Sequence, residues 1–249
     1  GAIAPGYLGD FVIIDDFEHF NIEKVFKKGE LMYSDGVLKD FPTPEIDPYL
    51  VKHAHDTFHV ASLSAEDFID RRPHAVIGMV NGEITTTDGG YTDRIDVDYD
   101  ILKIAVIERH KNTHHIGLGY IKGYGLKKGA VATSISHDSH NIIVVGTNEE
   151  DMAFAANHIV RNHGGITVVE DGAVKGDVLL AIAGIMSDDS LVNVNRDLES
   201  AKAAAYALGV SEGIDPFMTL SFMALPVIPS LRITTRGVFE RAELFGETH

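Results

Sequence analysis

Cysteine is absent from all 249 residues. No disulfide, thiolate nucleophile or Cys-ligated zinc can form, which excludes the His/Cys/Cys zinc site of cytidine-type deaminases. Any metal would have to be held by imidazole and carboxylate, and 13 histidines are available. Basic residues are scarce: 21 Lys and Arg stand against 37 Asp and Glu, a formal net charge of −16. A chain this acidic lacks the basic footprint that displaces counterions from nucleic acid. It is equally unsuited to an anionic membrane surface. Long apolar runs are missing too. Runs such as 11–14 and 142–145 are strand-sized, far short of the roughly 20 residues a spanning helix needs. The N-terminus has neither the basic stretch nor the apolar region of a signal peptide, so a cytoplasmic location is expected.

What is present fits a globular protein: 45% hydrophobic and 23% charged residues, enough for one large domain or two small ones. Residues 1–39 read as a small β-structure, with turns at Pro5-Gly6, Gly29 and Asp35-Gly36. Residues 40–73, punctuated by Pro42, Pro44 and Pro48, read as a linker. Within it, Ser64 and Asp67 have the spacing of a capped short helix. From residue 74 the pattern is strand-rich. Asn81-Gly82 predicts a type I′ hairpin between 76–80 and 83–87. Further strands are expected at 103–108, 117–124, 130–136, 142–146 and 166–170. One helix is expected after Thr147 and Glu150, in capping-box spacing, with Met152, Ala155, Ala156, Ile159 and Val160 on its apolar face, ending at Gly164-Gly165. A second carries Leu198, Ala201, Ala205 and Leu208 and stops at Gly209. Strands outnumber helices without βαβ alternation, which predicts an α+β fold with a mixed sheet flanked by at least two helices.

The densest polar constellation is Ser136-His137-Asp138-Ser139-His140-Asn141, between an expected strand and the apolar run 142–145. It admits two readings: a polar turn making local backbone bonds, or a site in which His137, Asp138 and His140 move protons while Ser136 and Asn141 hold a substrate edge. Six polar residues are costly to place between buried strands without use. His137 and His140, three apart, would converge on one ion or one substrate from a turn and diverge from a strand. His53-Ala54-His55 has the His-x-His look of a metal site. It follows a proline-punctuated connector instead of an apolar strand, and is read as exposed linker. His110, His114 and His115 are read as solvated loop residues. The glycines at 117, 119, 123, 125 and 129 match no phosphate-binding fingerprint and are read as letting backbones approach closely. Residues 215–227 are read as core or subunit interface, and Arg232 and Arg236 as surface ion-pairing residues.

Several of these stretches resemble a known family. Residues 1–15 are similar to the β-sandwich segment that follows the barrel in the amidohydrolase superfamily. Lys122-Gly123-Tyr124-Gly125-Leu126-Lys127-Lys128-Gly129-Ala130, the 136–147 stretch and Asp215-Pro216-Phe217-Met218 resemble the C-terminal domain of bacterial-type adenine deaminase. The resemblance implies a partial β-sandwich (1–39), a linker (40–73) and the family's C-terminal domain (74–249). It also implies hydrolysis of adenine to hypoxanthine and ammonia in purine salvage, with manganese or iron held in a (β/α)8 barrel and a homo-oligomeric assembly. No barrel pattern occurs in these residues, and Gly1 stands where an initiator methionine would. The chain is therefore expected to be the C-terminal part of such an enzyme, inactive without its N-terminal barrel. The metal ligands are expected in that barrel, or alternatively at His137 and His140. Two other readings stay open: a non-catalytic lid or oligomerisation domain, and a stand-alone metal-dependent hydrolase built on His137, Asp138 and His140.

Overall fold

The computed structural model describes residues 2–42 and 44–240, which divide into two compact units, Gly1–Asp47 and Pro48–His249. Gly1, Thr43 and the stretch 241–249 of the expected C-terminal domain lie outside the described residues. The first unit is an antiparallel meander of β1 (Phe11–Ile14), β2 (Ile22–Lys27), β3 (Glu30–Ser34) and β4 (Val37–Leu38). Lys27 pairs with Glu30 across Lys28-Gly29, and Ser34 with Val37 across Asp35-Gly36. All four turn residues have positive φ, as a type I′ turn requires. None of the described residues of this unit is buried, because four short strands give too little sheet to cover a core.

The second unit opens with α1 (Pro48–His55) and a single 3-10 turn (Ala65–Phe68). Its framework is β5 (His74–Met79), β6 (Thr86–Thr92), β7 (Ile101–Ile107), β8 (Ile116–Lys122), β9 (Ala130–Thr133), β10 (Ile142–Gly146), β11 (Gly165–Glu170) and β12 (Ala173–Leu179). These eight strands form one sheet in the order β12-β11-β9-β10-β7-β8-β5-β6, with β5 and β8 parallel and the other neighbours antiparallel. Helices α2 (Glu149–Arg161), α3 (Leu191–Ala207) and α4 (Pro216–Met223) and the hairpin β13 (Leu231–Thr234) and β14 (Gly237–Glu240) complete it. The class is α+β with a mixed sheet, and no barrel closes among the described residues. No described helix is long and apolar enough to cross a membrane.

Both faces of this sheet are covered, which explains the near-continuous apolar runs of its central strands. Because side chains alternate, Ile142 and Val144 join Ala105, Ile107, Ala130 and Ala132 against Met152, Ala155, Ala156 and Ile159 of α2. Ile143 and Val145 join Ile104, Val106, Val131 and Val168 against the side that holds Ala201 and Ala205 of α3 and Phe217 and Leu220 of α4. Fully burying each such aliphatic stabilises the fold by roughly 1.5–3 kcal/mol. Alanines facing alanines let α2 approach closely. The glycines of β8 serve the same purpose on the opposite face: a Cβ at Gly117 would fall 1.8 Å from the Thr234 carbonyl oxygen, and one at Gly119 2.2 Å from Val238. They leave room for the β13–β14 hairpin.

Several expectations need correction. Residues 48–73 belong with the second unit instead of forming an extended linker: Pro48 starts α1, and Leu63 and Phe68 are buried against the α2 side of the sheet. Asn81-Gly82 does not make a type I′ turn. Met79 pairs with Thr86 across six residues, and only Gly82 has positive φ. The N-cap of α2 is Asn148, whose Oδ1 accepts from Asp151 N–H at 2.7 Å, while the Thr147 hydroxyl bonds the Gly129 carbonyl. Arg232 is fully buried instead of ion-pairing at the surface. It donates to the Ile84 carbonyl, the Leu231 carbonyl and Thr86 Oγ1 at 2.5, 2.7 and 2.7 Å. Burial pulls its pKa down to about 10, so it stays charged at neutral pH.

The packing of β8 yields a test. Gly117→Ala should lower stability by about 1–3 kcal/mol through overpacking, whereas Gly172→Asn, at φ +68° in open space, should change it by less than about 0.5 kcal/mol. Urea unfolding midpoints check both, and equal effects would refute the close-approach account.

Candidate functional site

At one end of the sheet the 136–141 loop links β9 to β10. The strand ends at Thr133 instead of Ser136, with one further bond to β11, from the Ser134 N–H to the Gly165 carbonyl at 2.9 Å. The chain then closes one tight turn: the N–H groups of Ser139 and His140 both donate to the Ser136 carbonyl, at 3.0 and 3.1 Å. His137 and His140 sit at φ +29° and +49°, in the left-handed region that side chains rarely adopt.

Four groups hold this turn. The His137 N–H donates to the Ser221 hydroxyl of α4 at 2.9 Å, and the His137 ring lies 5.4 Å from the Phe222 ring. Helix α4 is aimed there by Asp215, whose carboxylate accepts from the N–H groups of Phe217 and Met218, with Pro216 in its first turn. The fourth group is Arg109, which leaves β7 and runs back into the protein at 2% exposure. Its guanidinium donates to three carbonyls from three segments: His140, Thr57 at 2.8 Å and Ala183 at 2.9 Å. The Phe58 ring stacks on it at 4.2 Å, and Gly184 leaves it room. Burial pulls its pKa down to about 10, still far above neutrality.

Within the turn, His137 Nδ1 lies 2.7 Å from Asp138 Oδ1, forming an imidazole–carboxylate pair. The His137 side chain is 39% exposed and that of Asp138 72%. His140 is half-buried and Asn141 is buried, its Oδ1 accepting from the Arg109 N–H at 3.4 Å. A cavity of about 370 Å3 opens beside the loop, lined by Asp138, Ser139 and Asn141 and by Pro226, Val227 and Ile233. The substrate role expected of Ser136 needs correction: it is fully buried, and its hydroxyl faces that of Ser139 at 3.2 Å. It anchors the turn.

The other histidines fall out as follows. His53 and His55 lie on α1, exposed and half-buried, two residues apart and thus on different sides of the helix. His110, His114 and His115 are exposed, but their loop reaches the site: His110 Nε2 is 2.9 Å from the Ser139 carbonyl oxygen. Glu108 organises that loop. Burial opposes its charge, yet bonds from the N–H groups of His110, Thr113 and Lys111 and from the Thr113 hydroxyl hold its carboxyl below the ordinary range.

The donors of the 136–141 loop do not gather as a three-ligand centre. Among the described residues the one trio of donor atoms within 4.8 Å of one another is Asp15, Asp16 and His19, all exposed. His137, Asp138 and His140 form no such group. Sequence reasoning missed Arg109, Ser221 and Phe222. Asp215 followed by Pro216 was the available signal for the start of α4; nothing local marks Arg109 beyond its place at the end of an apolar run.

Arg109→Met should cost about 3 kcal/mol or more, by leaving buried carbonyls unpaired. Urea unfolding, with amide exchange at His140, checks this; unchanged protection at His140 would refute the anchoring role. A second test uses pH. Because the folded Glu108 carboxyl is more acidic than its unfolded value of about 4.3, the order it gives the 108–115 loop is complete above that pH. That order is lost as pH falls through the lowered value. Exchange at Lys111 and Thr113 should rise in acid in the native protein, and Glu108→Gln should abolish the dependence.

Comparison with known proteins adds a separate finding. A family model described as the adenine deaminase C-terminal domain matches residues 78–244. "Adenine deaminase 2" of Carboxydothermus hydrogenoformans is 39% identical over 253 residues, covering 96% of this chain and 43% of the relative. The adenine deaminase of Dehalococcoides mccartyi is 40% identical over 250 residues, with the same coverage of 96% and 43%. That of Listeria monocytogenes is 39% identical over 251 residues, covering 97% and 43%. The chain thus spans less than half the length of the curated relatives it matches.

Proposed function

We propose, on the premise that this chain belongs to the adenine deaminase C-terminal domain family, that it serves the hydrolytic deamination of adenine as the C-terminal part of the enzyme. In that reaction water adds at C6, the C6–N bond breaks, and hypoxanthine and ammonia leave. Any divalent ion, manganese or iron, would be held by the portion of the relatives that this chain does not span; His137, Asp138 and His140 form no three-donor group for one. On this reading catalysis needs both portions, and the chain alone is inactive.

The observation that carries the reading is the His137–Asp138 pair on an anchored turn at the mouth of a cavity. A carboxylate that accepts from Nδ1 fixes the imidazole tautomer and leaves Nε2 to take or give a proton. The leaving amine needs a proton, and an imidazole changes charge near neutral pH without a large shift. Ser221, Phe222 and Arg109 would act as positioning residues. They keep the pair from collapsing onto the backbone, as an unsupported polar turn would.

The test uses the complete enzyme. His137→Ala and His140→Ala should each lower kcat about 10²-fold or more while shifting the thermal midpoint by only a few degrees. Wild-type turnover in both variants would overturn the assignment.

A further inference from the structure

We infer that His110 is a positioning residue for the His137–Asp138 pair, latching the outer side of the 136–141 turn through the Ser139 carbonyl. The inference rests on the reading above and adds a residue to it. His110 Nε2 lies 2.9 Å from the Ser139 carbonyl oxygen. A carbonyl only accepts, so the ring carries a proton on Nε2 and donates it. The next carbonyl along, that of His140, takes the guanidinium of Arg109. Two consecutive side chains thus hold two consecutive carbonyls, Arg109 from within the protein and His110 from the solvent side.

What these holds do follows from where they fall. On the N-terminal side of Asp138, the His137 N–H is tied to the Ser221 hydroxyl at 2.9 Å. On its C-terminal side, the Ser139 carbonyl is tied to His110. The Asp138 carboxylate itself is exposed and bonds His137, so its held neighbours set where it stands. Without His110 the Ser139 carbonyl has water as its donor, and the 138–139 link is free to swing away from the imidazole. The latch is stiff because its own loop is braced. The Glu108 carboxylate accepts from the N–H groups of His110 and Lys111 at 2.6 and 3.0 Å and from the Thr113 hydroxyl at 2.9 Å. The Glu108 N–H donates to the His115 carbonyl at 3.0 Å, and Asn112 Oδ1 accepts from the Ala61 N–H at 3.2 Å. A donor mounted on such a loop fixes the turn instead of following it. His110 is also exposed, so its removal leaves global stability nearly unchanged and its effect on the pair can be read separately.

The test uses the complete enzyme and two readouts, hydrogen exchange of the 136–141 peptide by mass spectrometry and steady-state kinetics. His110→Ala should speed exchange in that peptide about three- to tenfold, the range one hydrogen bond supplies. It should lower kcat about tenfold while KM stays within about twofold, because a displaced pair weakens the transition state and not the binding of substrate. His110→Gln, whose amide N–H can reach the same carbonyl, should bring exchange and kcat back to within about threefold of wild type. His115→Ala, exposed on the same loop, should change neither. Exchange indifferent to His110→Ala, or raised as much by His115→Ala, would overturn the latch. Faster exchange with wild-type kcat, or no recovery in His110→Gln, would overturn the positioning role. His137→Ala measured alongside separates the two readings. Lost turnover there leaves the functional reading standing whatever His110 does. Wild-type turnover in His137→Ala and His140→Ala sinks that reading and the positioning role with it, while the exchange result still decides the latch.

Discussion

A buried guanidinium held by backbone carbonyls is the constraint on which the candidate site depends. Arg109 is 2% exposed and makes no ion pair among the described residues; its guanidinium is met by the carbonyls of Thr57, His140 and Ala183 and by the face of Phe58, with the Glu108 carboxylate acting on it only through space. Such an arrangement holds only if every acceptor is in place, since an unmet buried charge costs several kcal/mol. Three segments far apart in sequence are therefore fixed together or not at all. The loop bearing His137 and Asp138 inherits its position from that requirement. Thr57 lies in the stretch expected to be a free linker, and this bond is one reason it is not free.

The sheet beneath supplies the rigidity. β7 and β10 bury both faces, and small residues on each side let α2 and the β13–β14 hairpin come close. A close-packed sheet transmits position without slack, so the strand ends at β7, β9 and β10 give the loop a firm base. The same packing brings α4 over the loop, where the Ser221 hydroxyl and the Phe222 ring complete its support. A polar turn so supported can keep two histidines in left-handed backbone, a conformation that persists where the surroundings over-determine it.

Much of this was legible in the residues. The run 142–146 was read with its final boundaries, because an apolar stretch between a polar cluster and a helix cap has few other solutions. The faces of α2 and α3 were legible from their 3.6-residue period, and the family from three separated motifs in order. The hairpin at Asn81-Gly82 was misread because the dipeptide permits a tight turn without compelling one. The sheet edge there was closed by a wider loop. Within the candidate site, the six residues of the loop stood out by polarity alone. Arg109 and Ser221 did not, because a single basic residue after a strand and a serine in an apolar helix carry no local pattern.

The sequence by itself determined the acidic, cysteine-free chemistry, the α+β class, the family and the loop that carries imidazole beside carboxylate. Each of these is written in residue types or in short-range spacing, which act locally. Tertiary structure alone decided which loop side chains are usable: Ser136 is buried as an anchor, Asp138 and Asn141 line a cavity, and His137 is seated between α4 and solvent. Those outcomes hang on contacts such as Arg109 with Ala183 and His137 with Ser221, between residues 74 and 84 positions apart. No periodicity spans such distances, so burial and hydrogen-bond satisfaction in the folded chain had to choose them.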